Sequence, residues 1–406
     1  MSGIYIHIPF CKQACSYCNF YFVTREQLQP AFVDRLCKEI DETDPIYRDE
    51  PVETIYLGGG TPSRLPADEI GRILDRLDRV FDLDLQEVTM EVNPDDVTAD
   101  YLKELKSLGV GRLSMGVQTF DPERLKFMNR AHTTKEAVNC LELLARTGFD
   151  IWTADLIYGL PGQSLKELEK DVRRLLSFDP PHISAYSLTI EPRTRLGKML
   201  ELGRLKPADE DHVSEQFDLI GVLLESAGIH RYEVSNYARP GCEAVHNTRY
   251  WEHYNYLGYG PSAHSFWWED SKAVRWRVAA NLKSYLSGGG SGPGEGGQNI
   301  AKRPDAGQIG MGSLEIDREV LPLNVLAEER LMLGLRTVRG VRIDTLEDLY
   351  GYGLNKGQLT WLAKSREEGF FDKDEELLKL TSKGLRIADH LTVGLLSARS
   401  KRTVSG

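Results

Sequence analysis

Six short apolar runs alternate with helical patterns through the first half of the chain, and this alternation constrains the fold more than any other feature of the sequence. Between the runs lie stretches such as ADEIGRILDRLDRVF and LKELEKDVRRLLSF, whose apolar residues recur every three or four positions. Strands that alternate with helices favour a parallel sheet with crossover helices. Six units are fewer than the eight of a closed barrel, so the sequence predicts an α/β fold built on an open, partial (β/α)6 barrel. The predicted strands are Ile4–Ile8, Thr54–Leu57, Glu87–Val92, Arg112–Val117, Ile151–Ile157 and His182–Leu188.

The ends of these predicted strands carry polar groups that are suited to holding a cofactor. The carboxyl ends of parallel strands form the functional mouth of α/β folds. After the second strand comes the run GGGTPS, whose glycines allow close backbone approach or a positive φ. This run lacks the patterns of a P-loop or a dinucleotide fingerprint, so it is either a flexible turn or a cofactor cradle, and its position favours the cradle. The other strand-end groups are Glu91, Asn93, Gln118, Asp155, Tyr186 and Ser187.

Three cysteines follow the first predicted strand in the spacing CxxxCxxC, namely Cys11, Cys15 and Cys18. A cubane iron–sulfur cluster normally receives one cysteine thiolate for each iron. Three cysteines leave one of the four irons without a protein ligand, just as a catalytic zinc site keeps one position open. The motif therefore predicts a [4Fe–4S] cluster that does chemistry or binds a small molecule. Cys37 and Cys140 fall in helical patterns, where a small buried apolar side chain is the better interpretation.

The composition is that of an ordinary globular protein and argues against several classes of function. A chain of 406 residues suggests one large domain and a smaller one. Its net charge of −11 predicts no nucleic-acid partner, because phosphate binding concentrates Lys and Arg. No apolar run approaches the roughly 20 residues that span a bilayer, and the first residues lack the features of a signal peptide. We expect a cytoplasmic protein without stable membrane insertion. Its six cysteines do not form a disulfide framework, and the three clustered ones are metal ligands.

Six motifs, taken in order, make the sequence similar to the radical S-adenosylmethionine (SAM) superfamily: IYIHIPFCKQACSYCNF, YLGGGTPS, EVNPD, GVQTFD, NRAH and DLIYGLPGQ. They most resemble the branch that contains HemN-type oxygen-independent coproporphyrinogen oxidases and HemW-type heme chaperones. The resemblance implies that the three cysteines bind a [4Fe–4S] cluster and that SAM chelates its fourth iron. It places around SAM the residues Tyr5, Gly59, Gly60, Thr61, Glu91, Gln118, Arg130 and Asp155.

The resemblance also implies individual roles in this SAM site. Tyr5 should lie beside the cluster, and Gly59 to Thr61 should meet the methionine end of SAM. Glu91 should pair with positive charge on SAM, and Asp155 should hold the ribose hydroxyls, as acidic residues do in other nucleoside sites. For Arg130 an ordinary surface helix charge is the alternative interpretation.

Three features separate the chaperone pattern from the oxidase pattern within this branch. Phe20 stands where the oxidase motif has a further cysteine, and the first strand starts too early to leave room for the N-terminal extension of the oxidases. The third feature is HNTRYW, which matches the HNxxYW motif associated with heme in HemW proteins. It implies a heme site at His246, Asn247, Tyr250 and Trp251. A neutral imidazole can ligate heme iron, and aromatic rings can stack on the macrocycle.

Other residues of this region stay open as alternatives. Cys242 and His253 are candidate heme ligands besides His246, and His264 lies in a segment of the family near the mouth without an assigned role. A buried or surface histidine with no ligand is the competing interpretation of His246.

Five segments are expected along the chain. Residues 1–225 form the radical SAM core with the cluster and SAM, and residues 226–286 form a connecting segment that carries the heme motif. The glycine-rich run SGGGSGPGEGG falls in a flexible loop at 287–310. A HemN-type, mainly helical domain follows at 311–395, and a disordered tail at 396–406.

Three functions follow as hypotheses. The first is a heme chaperone that binds heme, with a [4Fe–4S] cluster and SAM, and delivers it to client hemoproteins. The second is an oxygen-independent coproporphyrinogen III oxidase, in which SAM supplies the radical chemistry and the barrel positions the substrate. The third is a redox-sensing protein with an oxygen-labile cluster. A homodimer is expected only by analogy with the family.

Overall fold

A computed structural model describes residues 1–288 and 315–400 of the chain. The six predicted strands are present, and they lie side by side in sequence order in the centre of one sheet, all parallel. The expectation of an open α/β barrel of six units is confirmed. These strands are β1 (Ser2–Ile8), β2 (Val52–Gly59), β3 (Leu83–Val92), β4 (Arg112–Gln118), β5 (Ile151–Tyr158) and β6 (His182–Ser187).

Helices pack on one face of this parallel sheet and follow the sequence periodicity closely. In the helix after β2, Ile70, Ile73 and Leu77 are all buried, so the apolar stripe faces the core. Two later helices begin with complete capping boxes, at Thr133 and at Ser164, which satisfy their first backbone N–H groups. The helices of this half are α1 (Gln29–Asp41), α2 (Ala67–Val80), α3 (Ala99–Ser107), α4 (Pro122–Phe127), α5 (Thr134–Arg146) and α6 (Leu165–Leu176).

The segment that carries the heme motif belongs to the same sheet rather than forming a separate connection. One strand of this segment pairs parallel with β1, and others continue the sheet antiparallel at both ends. With one strand from the last part of the chain, this sheet has twelve strands among the described residues. The elements that follow β6, up to the end of this segment, are α7 (Arg195–Glu201), α8 (Glu210–Ser226), β7 (His230–Arg231), β8 (Asn236–Ala238), α9 (Val245–Trp251), β9 (Asn255–Tyr259), β10 (His264–Glu269), β11 (Lys272–Val278) and α10 (Leu282–Leu286).

The last part of the chain is mainly helical, as expected, but it opens with a strand that joins the main sheet. That strand pairs antiparallel with β11. Residues 289–310 of the expected flexible loop lie outside the described residues. The elements are β12 (Glu315–Pro322), α11 (Leu323–Gly334), β13 (Val341–Arg342), α12 (Ile343–Tyr350), α13 (Lys356–Glu367), β14 (Leu377–Leu378), α14 (Ser382–Leu385) and α15 (Ala388–Ser400).

The final helix corrects the expected start of the tail. Residues 396–400 were assigned to a disordered tail, yet α15 includes them. The physical reason is packing, since Leu395 and Ala398 are buried, and Arg399 donates to the carbonyl of Gly353. Residues 401–406 lie outside the described part.

The helical part is fastened to the sheet by specific contacts. Arg275 on β11 forms an ion pair with Glu329 on α11, with 2.6 Å between Nη2 and Oε2. The His253 Nδ1 atom lies 3.2 Å from the Tyr350 hydroxyl on α12. The described part of the chain therefore packs as one body with a shared apolar core.

Candidate cofactor site

A cavity of about 490 Å³ opens at the carboxyl ends of β1 to β6. Ten of the residues predicted for the cluster and SAM line this one space, although they come from widely separated parts of the chain. They are Cys11, Cys15, Cys18, Gly59, Gly60, Thr61, Glu91, Gln118, Arg130 and Asp155. A cavity of this size is in the range of small-molecule and cofactor sites.

The three cysteines occupy a loop that is tied down by backbone hydrogen bonds. Cys11 N–H donates to the carbonyl of Val23 at 2.9 Å, and Ser16 N–H donates to the carbonyl of Met128 at 2.8 Å. All three thiols are half-buried and free of disulfides. The loop therefore presents its thiols to the cavity from a fixed backbone.

The thiols have polar partners that suit thiolates. Thr61 Oγ1 lies 3.4 Å from the Cys11 sulfur as a donor, and Arg130 Nη1 lies 3.4 Å from the Cys15 sulfur. Burial raises the pKa of Cys11 to about 11 and also raises the pKa of Cys18. A coordinated metal removes the thiol proton outright, so burial of this kind disfavours free thiolates but not metal-bound ones.

The cysteine loop fits a [4Fe–4S] cluster. Within the described residues, no group of three or more His, Cys, Asp or Glu side chains is placed to hold one metal ion. In a cubane, each cysteine binds a different iron, so the three sulfurs need not converge on one point. Three thiols with donor groups beside them, around a cavity, therefore fit a [4Fe–4S] cluster with one open iron.

Gly59 and Gly60 form part of the cavity wall, and neither position has room for a side chain. Gly59 has φ of +109°, and a Cβ there would lie 2.6 Å from the His7 ring. A Cβ on Gly60 would lie 2.7 Å from the backbone of Pro9. Neighbouring protein atoms therefore leave no room for a side chain at Gly59 or Gly60, and both glycines line the cavity.

Glu91 faces the cavity with both carboxylate oxygens already engaged. Oε1 accepts the Tyr56 hydroxyl at 2.8 Å, and Oε2 accepts the Gly59 N–H at 3.1 Å. Burial raises its pKa, and these two donors oppose the rise. A carboxylate held in this way offers its remaining lone pairs to a cationic group in the cavity.

Arg130 is half-buried and spans the site, so the interpretation as a surface helix charge is wrong. Its Nη2 donates to Asn93 Oδ1 at 2.7 Å and to the carbonyl of Gly116 at 2.9 Å, while Nη1 reaches Tyr17 and Cys15. The guanidinium thus joins the cysteine loop to the ends of β3 and β4.

Gln118 and Asp155 close the far side of the cavity. Gln118 adopts φ of +67°, and its buried Oε1 has no hydrogen-bond partner within the described residues. Asp155 accepts the Ser114 hydroxyl at 3.3 Å, and burial, reinforced by nearby Glu91, raises its pKa to about 7. Both groups have hydrogen-bonding capacity left for a polar ligand.

Tyr5 lies one layer below the cavity rather than in its lining. Its ring stacks on Tyr56 with centroids 6.0 Å apart, and its hydroxyl is 3.2 Å from His7 Nδ1. In this structure Tyr5 contacts the residues that support the site.

The heme-motif residues lie on α9, away from the cavity lining. His246 is 1% exposed, and both of its ring nitrogens are used: Nδ1 lies 2.8 Å from Thr54 Oγ1, and Nε2 lies 2.7 Å from the Tyr250 hydroxyl. An axial ligand needs a free nitrogen lone pair that faces the iron. The expectation that His246 is presented to heme is therefore not met in this conformation. Asn247 and Trp251 are half-buried.

The two alternative ligands, Cys242 and His253, and the unassigned His264 differ in accessibility. Cys242 is half-buried, His253 is buried against Phe266 with ring centroids 5.4 Å apart, and His264 is exposed at the start of β10. Burial lowers the pKa of His253 to about 3, so its imidazole is neutral.

Sequence reasoning missed the residues that support the site from inside the barrel. Tyr56, Ser114 and Tyr17 all line the cavity. Tyr17 and Tyr56 stand inside the cysteine and glycine motifs without an assigned role, and Ser114 precedes the GVQTFD motif. A signal was present in the two-residue period of strands. Tyr56 precedes Gly58 by two positions and Ser114 precedes Gly116 by two, so each shares a face with a strand-end residue.

The matches to known proteins agree with this geometry. Residues 5–175 match the radical SAM superfamily, and residues 321–387 match the HemN C-terminal domain. The fold is similar to that of coproporphyrinogen III oxidase (HemN) from Escherichia coli, with a TM-score of 0.78 and 21% sequence identity over 97% of this chain and 89% of that one. These matches define a radical SAM protein with a HemN-type C-terminal domain, a class whose cofactors are a [4Fe–4S] cluster and SAM.

Curated relatives narrow the family further. The chain is 34% identical to the heme chaperone HemW of Bacillus subtilis over 95% of its own length and 96% of that protein. It is 36% identical to the heme chaperone HemW of Escherichia coli over 70% of its own length and 76% of that protein. The chain belongs to the HemW family of the radical SAM superfamily.

Proposed function

We propose that this protein is a heme chaperone, which binds heme and delivers it to client hemoproteins. The observation that carries the proposal is the identity with HemW of Bacillus subtilis over nearly the full length of both chains. The likeness to HemN is one of fold alone, since only 21% of residues are identical. Phe20, in place of a further cysteine, also favours the chaperone over the oxidase.

The cavity is the proposed site of the two resident cofactors. The [4Fe–4S] cluster would be held by Cys11, Cys15 and Cys18. SAM would bind the fourth iron, which has no cysteine ligand. When bound, this pair supplies redox chemistry that no side chain offers. The chain itself would hold the three thiols in place, enclose the cavity, and offer hydrogen-bonding groups to SAM.

The proposed SAM contacts follow the resemblance to the radical SAM superfamily, and the hydrogen-bonding groups that line the cavity support them. The Glu91 carboxylate would accept from the SAM amino group, near the backbone of Gly59, Gly60 and Thr61. Asp155 would accept from ribose hydroxyls, and the free Oε1 of Gln118 would accept a further donor. Arg130 would fix the cysteine loop against this pocket, while Tyr5 would act from the layer below.

For heme we propose contact with the accessible part of α9. Asn247, Tyr250 and Trp251 are half-buried there, and an aromatic ring can stack on a porphyrin face. His246 is not part of this proposal, because its imidazole is enclosed.

The location and assembly of the protein follow as finer proposals. No helix among the described residues is long and apolar enough to cross a membrane. All six cysteines are free, which fits the reducing cytoplasm that we propose as the location. A cluster-dependent homodimer is proposed by family analogy, and size-exclusion chromatography with and without cluster would test it.

Heme titration of the anaerobically reconstituted protein tests the chaperone function. We expect a saturable Soret shift at micromolar protein, followed by transfer of the heme to an added apo-hemoprotein. A spectrum that remains that of free hemin would contradict the proposal. Hemin with the apo-hemoprotein alone is the control for direct uptake.

A further inference from the structure

Helix α9 is seated in the end of the barrel opposite the cavity. The Glu87 carboxylate on β3 accepts the N–H groups of Val245 and His246, both at 3.0 Å. A carboxylate at these free N–H groups stabilises the start of a helix. Arg112, on the next strand, donates to the carbonyl of Cys242 at 2.9 Å. Interior strand side chains therefore fix both the helix and the turn before it.

The imidazole of His246 fills a space that the strands leave for it. A Cβ on Gly3 would come within 3.4 Å of this ring, and Thr54 holds its Nδ1. The ring stacks on Tyr56, with centroids 5.2 Å apart and an angle of 28° between the planes. Tyr250 packs edge-on to the same imidazole at 4.8 Å. His246 is thus a packing element between α9 and the inner face of β2.

Tyr56 connects His246 to the residues that line the cavity. Its ring lies between the imidazole of His246 and the ring of Tyr5, and its hydroxyl donates to Glu91. Glu91 in turn accepts the N–H of Gly59, the left-handed residue of the cavity wall. A continuous path of contacts therefore runs from the heme motif to the carboxylate that faces the cavity.

We propose that the HNTRYW helix supports the SAM site, with His246 and Tyr56 as positioning residues that orient the Glu91 carboxylate. The inference rests on the SAM contact proposed above for Glu91. It assigns His246 a role other than heme ligation, since the imidazole is enclosed on both nitrogens. Its neutral form satisfies both partners at once, one nitrogen as donor and the other as acceptor.

The first test removes the Tyr56 hydroxyl. Tyr56→Phe keeps the ring stack and leaves Glu91 without its tyrosine donor. Loss of a hydrogen bond to a charged group should raise the SAM dissociation constant about tenfold. Calorimetry on the reconstituted protein measures this constant. The matched control is Tyr285→Phe, because Tyr285 also donates to a carboxylate, Glu39, at 2.6 Å, and neither residue lines the cavity. Equal SAM affinity in Tyr56→Phe and wild type would overturn the proposal.

The second test changes the imidazole. His246→Ala should weaken SAM binding about threefold to tenfold, and His246→Phe, which restores a ring against Tyr56, should recover most of the loss. His253→Ala removes another buried imidazole, one that packs on Phe266 instead, and should leave SAM affinity unchanged. If His253→Ala weakens SAM binding as much as His246→Ala does, the effect is general destabilisation and the proposal fails.

Heme titration of the same preparations separates this inference from the proposed function. We expect His246→Phe to keep the Soret shift of the wild type. Loss of the shift in both His246 variants with unchanged SAM affinity would identify a heme ligand and overturn the inference. A wild type without any Soret shift would refute the chaperone function, while the SAM comparison would still decide the role of α9.

Discussion

Replacement of Arg130 by methionine tests whether the cysteine loop and the SAM pocket form one unit. The guanidinium makes two short hydrogen bonds, to Asn93 and to the Gly116 carbonyl, and two longer ones to Tyr17 and Cys15. Methionine matches the unbranched part of the arginine side chain and has no donor. Each short bond from a charged donor contributes about 1.5 kcal/mol, and the longer pair contributes less, so the unfolding free energy should fall by about 3 kcal/mol.

Function should fall together with stability in this variant. Without the guanidinium the Cys15 thiolate loses a donor, and the loop loses its link to β3 and β4. We expect less iron per chain after anaerobic reconstitution and a SAM dissociation constant at least about tenfold higher, which is about 1.4 kcal/mol. Denaturant unfolding of the metal-free, reduced protein gives the stability, and calorimetry gives the SAM affinity.

Arg124→Met is the matched control for Arg130→Met. Arg124 also bridges two segments, through bonds of 3.3 and 3.2 Å to the carbonyls of Pro161 and Gly162 and one of 3.0 Å to Glu167, but it does not line the cavity. It should lose about 1–2 kcal/mol of unfolding free energy and retain iron and SAM. If Arg130→Met retains iron and SAM affinity at wild-type level, the reasoning from these contacts is refuted.

Three further changes have definite expected outcomes. Cys15→Ser should abolish the visible absorbance of the reconstituted cluster. The control, Cys140→Ser, lies in a buried helical position and should retain this absorbance. A full four-iron cluster in Cys15→Ser would show that the ligand assignment is wrong. Gly59→Ala should lower the free energy of unfolding by about 1–3 kcal/mol, because the new methyl group meets the His7 ring and the residue keeps a positive φ. Gly162→Ala, with φ of +69° and open space around it, should lower it by about 1 kcal/mol. Equal unfolding midpoints of the two variants would contradict this. Burial raises the pKa of Glu39 from 4.5 to about 7, so the folded chain retains a proton there that the unfolded chain has lost, and stability falls as the pH rises through that window. Glu39→Gln should flatten this part of the stability curve in urea titrations at pH 5, 6 and 7, and an unchanged slope would disprove the assignment.

Local sequence patterns predicted the parts of this fold that depend on local physics. The strand–helix alternation gave the six parallel strands in their order, because crossover connections leave few topologies open. Of the ten predicted residues that line the cavity, the cysteine spacing and the strand ends gave nine, because the carboxyl ends of neighbouring parallel strands must meet at one edge. The tenth, Arg130, was implied only by the resemblance to the radical SAM superfamily.

The remaining features depend on contacts that no single segment records. β12 joins the main sheet through pairing with β11, a partner that its own sequence does not specify. The position of α9 is a second case. A histidine beside a tyrosine and a tryptophan suits a heme ligand, and only the placement of Thr54, Glu87 and Tyr56 on neighbouring strands reveals that His246 is enclosed.

Paired assays on one anaerobically reconstituted preparation test the central claim most directly. One sample is titrated with heme, and the other receives coproporphyrinogen III with SAM and a reductant. We predict a saturable Soret shift in the first sample and unchanged coproporphyrinogen in the second. Consumption of coproporphyrinogen without a heme-dependent spectrum would contradict the chaperone function and identify an oxidase.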